Sequence, residues 1–203
     1  MQRTDNITSF LAPRYWLLWL WLGFLRLAIM LPFHRQLRLG RWLGRTCARL
    51  FPKRVAVARA NIQHCLPELP QVESESLLLR HFEAIGISFL ETALCWWGSD
   101  RRLQPLLAKV EGLEHLQTAQ ASGRGVILLT AHFTDLEIGA RFVYQRCHYA
   151  AVYRQMNNPL LEYFTAKARN RNTDEAIPKD NVKRMIKLLR SGGTLWFAPD
   201  QQH

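Results

Sequence analysis

The sequence lacks several features that would assign a chemistry at once. Its four cysteines, at positions 47, 65, 95 and 147, include no CxxC pair, which excludes a disulfide scaffold or a zinc ribbon and indicates a reducing compartment. No GxSxG, HExxH or Walker sequence occurs, so the motifs of serine hydrolases, zincins and P-loop proteins are absent. With 203 residues and a hydrophobic fraction of 48%, the chain can still form a globular domain.

Acidic residues are nearly missing from the first 60 positions. This segment holds eleven of the 27 Lys and Arg residues but only one acid, Asp5, so it carries +10 of the net charge of +11. The rest of the chain is almost neutral. Because the excess charge adjoins an apolar segment, we expect membrane lipid as the partner, and no nucleic acid.

The apolar segment extends from Tyr15 to Phe33, and Arg26 is its only charge. Its nineteen residues approach the roughly 20 that a spanning helix needs, and they predict a membrane-spanning N-terminal anchor. Three tryptophans at positions 16, 19 and 21 are typical of the membrane interface, and a helix lying in the interface is the alternative.

A basic helix is predicted directly after this segment. Five arginines recur at steps of three and four residues and share one helical face. Such a face suits anionic lipid headgroups, and its position places the downstream domain in the cytoplasm. We name this set the arginine stripe: Arg35, Arg38, Arg41, Arg45 and Arg49.

The remaining pattern indicates an α/β fold with a parallel sheet flanked by helices, because strands and helices alternate from residue 125 onward. We expect a membrane anchor over 1–34, a basic juxtamembrane and helical segment over 35–108, and an α/β core over 109–203. Since the sequence stops just after a predicted strand, we expect a longer natural protein. The predicted strands are 125–131, 148–153 and 194–198; the helices are 53–65, 73–97, 133–146, 159–169 and 180–190.

Three polar residues follow the predicted strands: His132, Arg154 and Asp200. Ligands of open α/β sheets bind at the carboxyl ends of the strands, so these residues mark a candidate site. His132 is a candidate general base, and Glu137 can orient its ring if the chain bends between strand and helix. A capping box formed by Thr134 and Glu137 is the structural alternative. The spacing is not one of zinc ligands and no cysteine is near, so we expect no metal.

The surrounding blocks resemble a known family. The signature is histidine, four residues and then glutamate, at His132 and Glu137, and the blocks are VILLTAHFTDLEIGAR (126–141), VYRQMNNPLLEYF (152–164), VKRMIKLLRSGGTLWFAPDQ (182–201) and RVAVARANIQHCLPELP (54–70). Together they resemble the late lipid A acyltransferases of Gram-negative bacteria, of the lauroyltransferase type. These are similar to the wider glycerolipid acyltransferase superfamily.

The resemblance implies a reaction. A fatty acyl chain, lauroyl in the first instance, passes from acyl carrier protein to a hydroxyl on an acyl chain of Kdo2-lipid IVA. Myristoyl and palmitoleoyl chains remain open. The implied location is the cytoplasmic side of the inner membrane, and acyl carrier protein is a co-substrate, with no cofactor expected. Because acyl carrier protein is acidic, the resemblance implies it as an alternative to lipid headgroups as the partner of the arginine stripe.

The resemblance also implies residue roles. His132 is the general base and Glu137 orients it, while Arg169 contacts a phosphate or the oxyanion. As an alternative, Arg169 is simply a cation at a helix C-terminus. The further substrate-binding candidates are Asp200, Arg154 and Asn158.

Two other functions stay open. Acyltransferases acting on lysophosphatidic acid usually have Asn-His before four residues and Asp, whereas this chain has Ala131, His132 and Glu137. The second alternative is a membrane-tethered binding protein with an inactive site.

Overall fold

A computed structural model describes residues 7–200. Its contacts divide the chain into two compact units, which are described separately. One consists of Met1–Leu20 together with Leu94–His203, and the other of Trp21–Ala93. The first contains the sheet and the second consists of helices.

The elements alternate after residue 125 as the sequence predicts. In chain order, the strands are β1 (Val126–Leu129), β2 (Ala150–Tyr153), β3 (Glu175–Pro178) and β4 (Thr194–Phe197). The helices are α1 (Trp16–Ala28), α2 (Phe33–Leu50), α3 (Pro52–Cys65), α4 (Gln71–Trp97), α5 (Asp100–Leu103), α6 (Leu113–Ala121), α7 (Leu136–Tyr144), α8 (Pro159–Asn172) and α9 (Val182–Arg190). Short 3-10 turns cover Ile7–Phe10, Pro13–Tyr15 and Gln104–Leu106.

The four strands form one parallel sheet in the order β1-β4-β2-β3. Three of them confirm the predicted strands and the parallel α/β fold. The fourth, β3, was not predicted, because its four residues include a glutamate and a proline and give no apolar run. Ala150, Ile177 and Leu195 form a buried core on one face of the sheet, and residues of α9 pack against them.

The N-terminal apolar segment differs from the expected membrane-spanning anchor. Its helix, α1, has 13 residues and is about 20 Å long at 1.5 Å per residue, short of the roughly 30 Å of a bilayer core. Within residues 7–200, none of the helices is long and apolar enough to cross a membrane. The prediction of a membrane-spanning N-terminal anchor is therefore not supported by the part of the chain that the structure describes.

The helix stops because the chain turns before Pro32. Proline has no backbone N–H and is not tolerated in the interior of a helix. Here Pro32 stands directly before the first turn of α2. The buried Gln36 side chain donates hydrogen bonds to the carbonyl oxygens of Ile29 and Leu31, at 3.0 and 2.7 Å. These bonds satisfy two carbonyl groups in the turn between α1 and α2.

Helix α2 carries the arginine stripe on its exposed side, as predicted. Its buried side includes Gly40 and Gly44, which approach Gly86 of α4 so closely that a Cβ on Gly86 would lie 2.0 Å from the Gly40 carbonyl oxygen. Arg45 also bonds Glu83 at 2.6 Å. The two helices therefore cross backbone to backbone within the helical unit.

Two arginines in the sheet-containing unit bind the C-terminal turn of α4. The buried Arg141 donates to the carbonyl oxygens of Cys95 and Gly98 at 2.7 and 3.0 Å, and Arg171 donates to that of Trp96. Cations are favourable at a helix C-terminus because the carbonyl groups there lack partners. These bonds hold α7 and α8, the two helices that supply the site described below.

Candidate active site

The carboxyl ends of the strands bring the predicted polar residues to one edge of the sheet. His132 follows β1, Arg154 follows β2, and Asp200 follows β4. A cavity of about 530 Å³ opens at this edge, and its wall includes His132 and Arg154. The topology of parallel strands thus brings the polar residues that the sequence singled out to one edge of the sheet, where the candidate site lies.

His132 is held by Asp200. The ring Nδ1 lies 2.7 Å from Asp200 Oδ1, and the His132 backbone N–H donates to Asp200 Oδ2 at 2.9 Å. A tight turn in which the Phe133 N–H donates to the Ala131 carbonyl at 2.9 Å presents the histidine. A carboxylate at Nδ1 favours the proton on that nitrogen and leaves Nε2 as the acceptor.

The two hydrogen bonds from His132 also act on the carboxyl group. They favour its charged form, so the pKa of Asp200 is lowered from its ordinary value, first by the backbone N–H and then by the ring. Both side chains stay accessible, with about 38% and 37% of their surface exposed. The pair is therefore accessible to solvent and to a ligand.

Glu137 does not bond His132 in the part of the chain that the structure describes, contrary to the expected pairing. Its carboxylate lies 3.9 Å from Arg169 Nη2 instead. The alternative capping box is also not formed, because Asp135 precedes α7 and no side chain caps it. The position of Glu137 is fixed through its backbone, since the buried Cys95 thiol donates to the Glu137 carbonyl.

Arg169 projects from the last turn of α8 into the cavity wall. About 20% of its side chain is exposed, and its Nη1 is buried without a hydrogen-bond partner among the described residues. Its guanidinium carbon lies 5.2 Å from the centre of the Tyr153 ring, a cation–π contact. A buried N–H group without a partner is costly, so this geometry suits an anionic ligand atom beside Nη1.

The cavity wall carries more positive than negative charge. Three cations line it, Arg154, Arg169 and Lys179, against one acid, Glu137. Sequence reasoning missed Lys179, which directly follows β3, the strand that the pattern did not reveal. An apolar part of the wall accompanies these charges and is formed by Leu136, Ala140, Tyr149, Ala151, Val152, Trp196 and Phe197.

The structure does not place Asn158 in this wall. Its side chain accepts hydrogen bonds from the backbone N–H groups of Leu160 and Leu161, at 3.0 and 3.2 Å, and so caps α8. Asn158 therefore shapes the helix that carries Arg169, where a substrate-binding role was expected.

Burial makes the remaining groups near the site poor acids. It raises the pKa of Cys95 to about 12 and also raises the pKa of Tyr149. Neither side chain is ionised near neutral pH.

Across residues 7–200, His, Cys, Asp and Glu side chains form no group of three able to hold a metal ion.

The fold and this edge define a class: parallel α/β proteins with a carboxylate-bound histidine in a cationic, partly apolar cavity at the strand ends. Within that class, the chain belongs to the bacterial lipid A biosynthesis acyltransferase family, whose sequence profile matches residues 3–203. The resemblance found in the sequence is thereby confirmed.

Three curated relatives illustrate the match. The chain is 35% identical to the lipid A biosynthesis lauroyltransferase of Escherichia coli K12, over 97% of this chain and 64% of the relative. It is 34% identical to the palmitoleoyltransferase of that strain, over 96% and 63%. It is 35% identical to a lipid A biosynthesis acyltransferase of Haemophilus influenzae, over 96% and 62%. The chain thus spans slightly less than two thirds of the length of these relatives.

Proposed function

We propose that this protein is an acyltransferase of late lipid A biosynthesis. It transfers a fatty acyl chain, lauroyl in the first instance, from acyl carrier protein to a hydroxyl on an acyl chain of Kdo2-lipid IVA. Family membership supports the reaction class, and the names of two relatives, a lauroyltransferase and a palmitoleoyltransferase of lipid A biosynthesis, support the pathway and the type of acyl chain. The observation that carries the proposal is His132, held by Asp200 at the cavity with Nε2 left as an acceptor.

His132 acts as the general base in this proposal. Its Nε2 takes the proton from the acceptor hydroxyl while the oxygen attacks the thioester carbonyl carbon, and Asp200 stabilises the imidazolium that forms. The C–S bond then breaks, the ester is formed, and His132 returns the proton to the departing thiolate. Asp200 is the positioning residue, because it holds both the ring and the backbone of His132.

Arg169 stabilises the oxyanion of the tetrahedral intermediate. Its unpartnered Nη1 is a fixed donor in a partly buried wall, and such donors are worth most where charge develops. Glu137, 3.9 Å from Nη2, orients the guanidinium. Arg154 and Lys179 bind the phosphates or Kdo carboxylates of the anionic acceptor, and the apolar wall takes acyl carbon atoms.

We propose further that the protein attaches to the cytoplasmic face of the inner membrane by lying on it. Helix α1 leaves an apolar side uncovered, with Leu17, Leu20 and Leu27 at 82%, 71% and 68% exposure. The arginine stripe of α2 is exposed as well. An apolar helix side with neighbouring arginines suits the interface of an anionic bilayer.

Purified protein tests the reaction directly. Lauroyl-loaded acyl carrier protein and Kdo2-lipid IVA should yield the acylated product, detected by mass spectrometry, and lysophosphatidic acid should not be acylated. His132→Ala should abolish transfer while the protein still sediments with anionic vesicles. Transfer to lysophosphatidic acid alone would replace the acceptor, and undiminished transfer by His132→Ala would refute the base.

A further inference from the structure

Helix α9 exposes a face that combines positive charge with apolar side chains. Its opposite side packs through Met185, Leu188 and Leu189 on the sheet core, so the outward side chains are fixed by the helical period. Val182 and Ile186 are 55% and 44% exposed. We name the outward set the α9 face: Val182, Lys183, Ile186, Lys187 and Arg190.

We propose that the α9 face is the docking surface for the acyl carrier protein that delivers the donor chain. The inference rests on the proposed function, because it assigns a place to the partner of that same site. It commits to an acidic protein whose contact helix carries apolar side chains among its carboxylates.

The charges of the α9 face are free for such a partner. Lys183, Lys187 and Arg190 have no ion pair with any residue that the structure describes. Arg184, on the same helix, already donates hydrogen bonds to both carboxylate oxygens of Glu175. The exposed Asp180 just before the helix is the nearest acid in sequence. Three unpaired cations within three turns give the charge complementarity that speeds and orients docking of an acidic surface.

The apolar members distinguish this surface from a membrane-binding one. Val182 and Ile186 are aliphatic, and the face has no aromatic side chain. Its nine residues extend about 13 Å, which matches a contact between two helices. By contrast, α2 presents Trp42 at 58% exposure beside the arginine stripe, and tryptophan is the residue enriched at bilayer interfaces.

The position of α9 connects this face with the cavity. Strand β3 ends at the carboxyl edge of the sheet, the next residue, Lys179, lines the cavity, and α9 begins three residues later. The first turn of the helix therefore lies beside the cavity rim. A carrier docked along α9 can extend its flexible prosthetic arm into the cavity, so that the thioester reaches His132.

Charge reversal tests the docking surface. Lys183→Glu with Lys187→Glu should weaken binding of fluorescently labelled lauroyl acyl carrier protein by about 10-fold or more, since close charge pairs become repulsive. The KM for the carrier should rise by a similar factor, while kcat should stay within twofold of the wild-type value. Transfer from lauroyl-pantetheine, which has no protein part, should be unchanged. The matched control is Lys167→Glu with Arg101→Glu, two exposed cations of the same unit, and it should bind the carrier normally.

Each outcome decides a different claim. Carrier binding within twofold of the wild type in the Lys183/Lys187 variant overturns the docking proposal, as does an equal loss in the control. Loss of binding to anionic vesicles by the variant, with carrier binding retained, assigns the face to the membrane instead. A wild-type protein that binds the carrier through this face but transfers from neither donor refutes the proposed function and leaves the docking surface standing.

Discussion

Two histidine–aspartate pairs lie at opposite edges of the same sheet. At the carboxyl edge, His132 Nδ1 is 2.7 Å from Asp200. At the amino edge, where β2 and β3 begin, His148 Nδ1 is 2.8 Å from Asp174. Judged by this contact alone, the two pairs are equivalent.

Their surroundings differ. Asp174 also accepts from the Tyr144 hydroxyl at 3.0 Å, and the His148 side chain is 75% exposed against 38% for His132. At the amino edge the neighbouring charges cancel, since Arg184 binds Glu175. At the carboxyl edge the cavity wall keeps three cations for one acid. The two pairs therefore differ in their surroundings, which at the carboxyl edge combine an excess of cations with an apolar cavity wall.

The largest expected difference separates the two histidines. His132→Ala should lower kcat for acyl transfer by about 10³- to 10⁴-fold, because it removes the general base. His148→Ala should leave kcat within twofold. Steady-state assays with lauroyl acyl carrier protein measure both. Equal losses of kcat in the two variants would show that the different surroundings of the two histidines do not affect catalysis.

The two aspartates come next. In Asp200→Asn, the amide NH2 group opposite Nδ1 favours the wrong tautomer of His132, and kcat should fall by about 10²- to 10³-fold. Asp174→Asn alters a pair that faces solvent and should leave kcat unchanged. A rise in KM without a fall in kcat for Asp200→Asn would place that residue in substrate binding.

The arginines at the two edges give a smaller effect. Arg169→Gln should lower kcat by about 10²-fold, because a fixed donor to the oxyanion is lost. Arg184→Gln should leave the rate unchanged and lower the free energy of unfolding only slightly, since its partner is a solvent-accessible carboxylate. Denaturant unfolding and kinetics on the same samples separate the two quantities.

The smallest effect concerns pH. Because hydrogen bonds from His132 lower the pKa of Asp200, its carboxyl group should titrate below the ordinary aspartate value of about 3.9. The contact therefore stabilises the fold at pH values above the ordinary pKa of aspartate. This stabilisation is lost as the pH falls through the lowered pKa of Asp200. Carbon-13 NMR should show the midpoint rising in His132→Ala and unchanged in His148→Ala.

The sequence predicted the parallel sheet and the edge of that sheet at which the candidate site lies. These follow from local signals, namely apolar runs such as that before His132 and the polar residue that ends each run. The partner of His132 was not predictable, because Asp200 is 68 residues away and strand order decides which carboxylate is near. The neighbouring Glu137 was the natural choice from spacing, yet the bend after β1 directs it toward Arg169.

The N-terminal helix shows the opposite failure. The hydropathy pattern predicted one helix from nineteen apolar residues. In the structure the chain turns before Pro32, and the Gln36 side chain donates hydrogen bonds to carbonyl groups in that turn. A buried glutamine four residues beyond a proline is a tertiary feature, and a hydropathy window does not register it. The length criterion therefore overestimated the helix.

The central claim is that His132, and not its counterpart at the amino edge, carries acyl transfer to a lipid A precursor. Mass spectrometry of lipid A tests it in cells that lack their own late acyltransferases and produce the wild-type protein, His132→Ala or His148→Ala. We predict one added acyl chain, by mass that of a lauroyl group, with the wild type and with His148→Ala, and none with His132→Ala. An acyl chain added by His132→Ala, or lost in His148→Ala alone, would contradict the account.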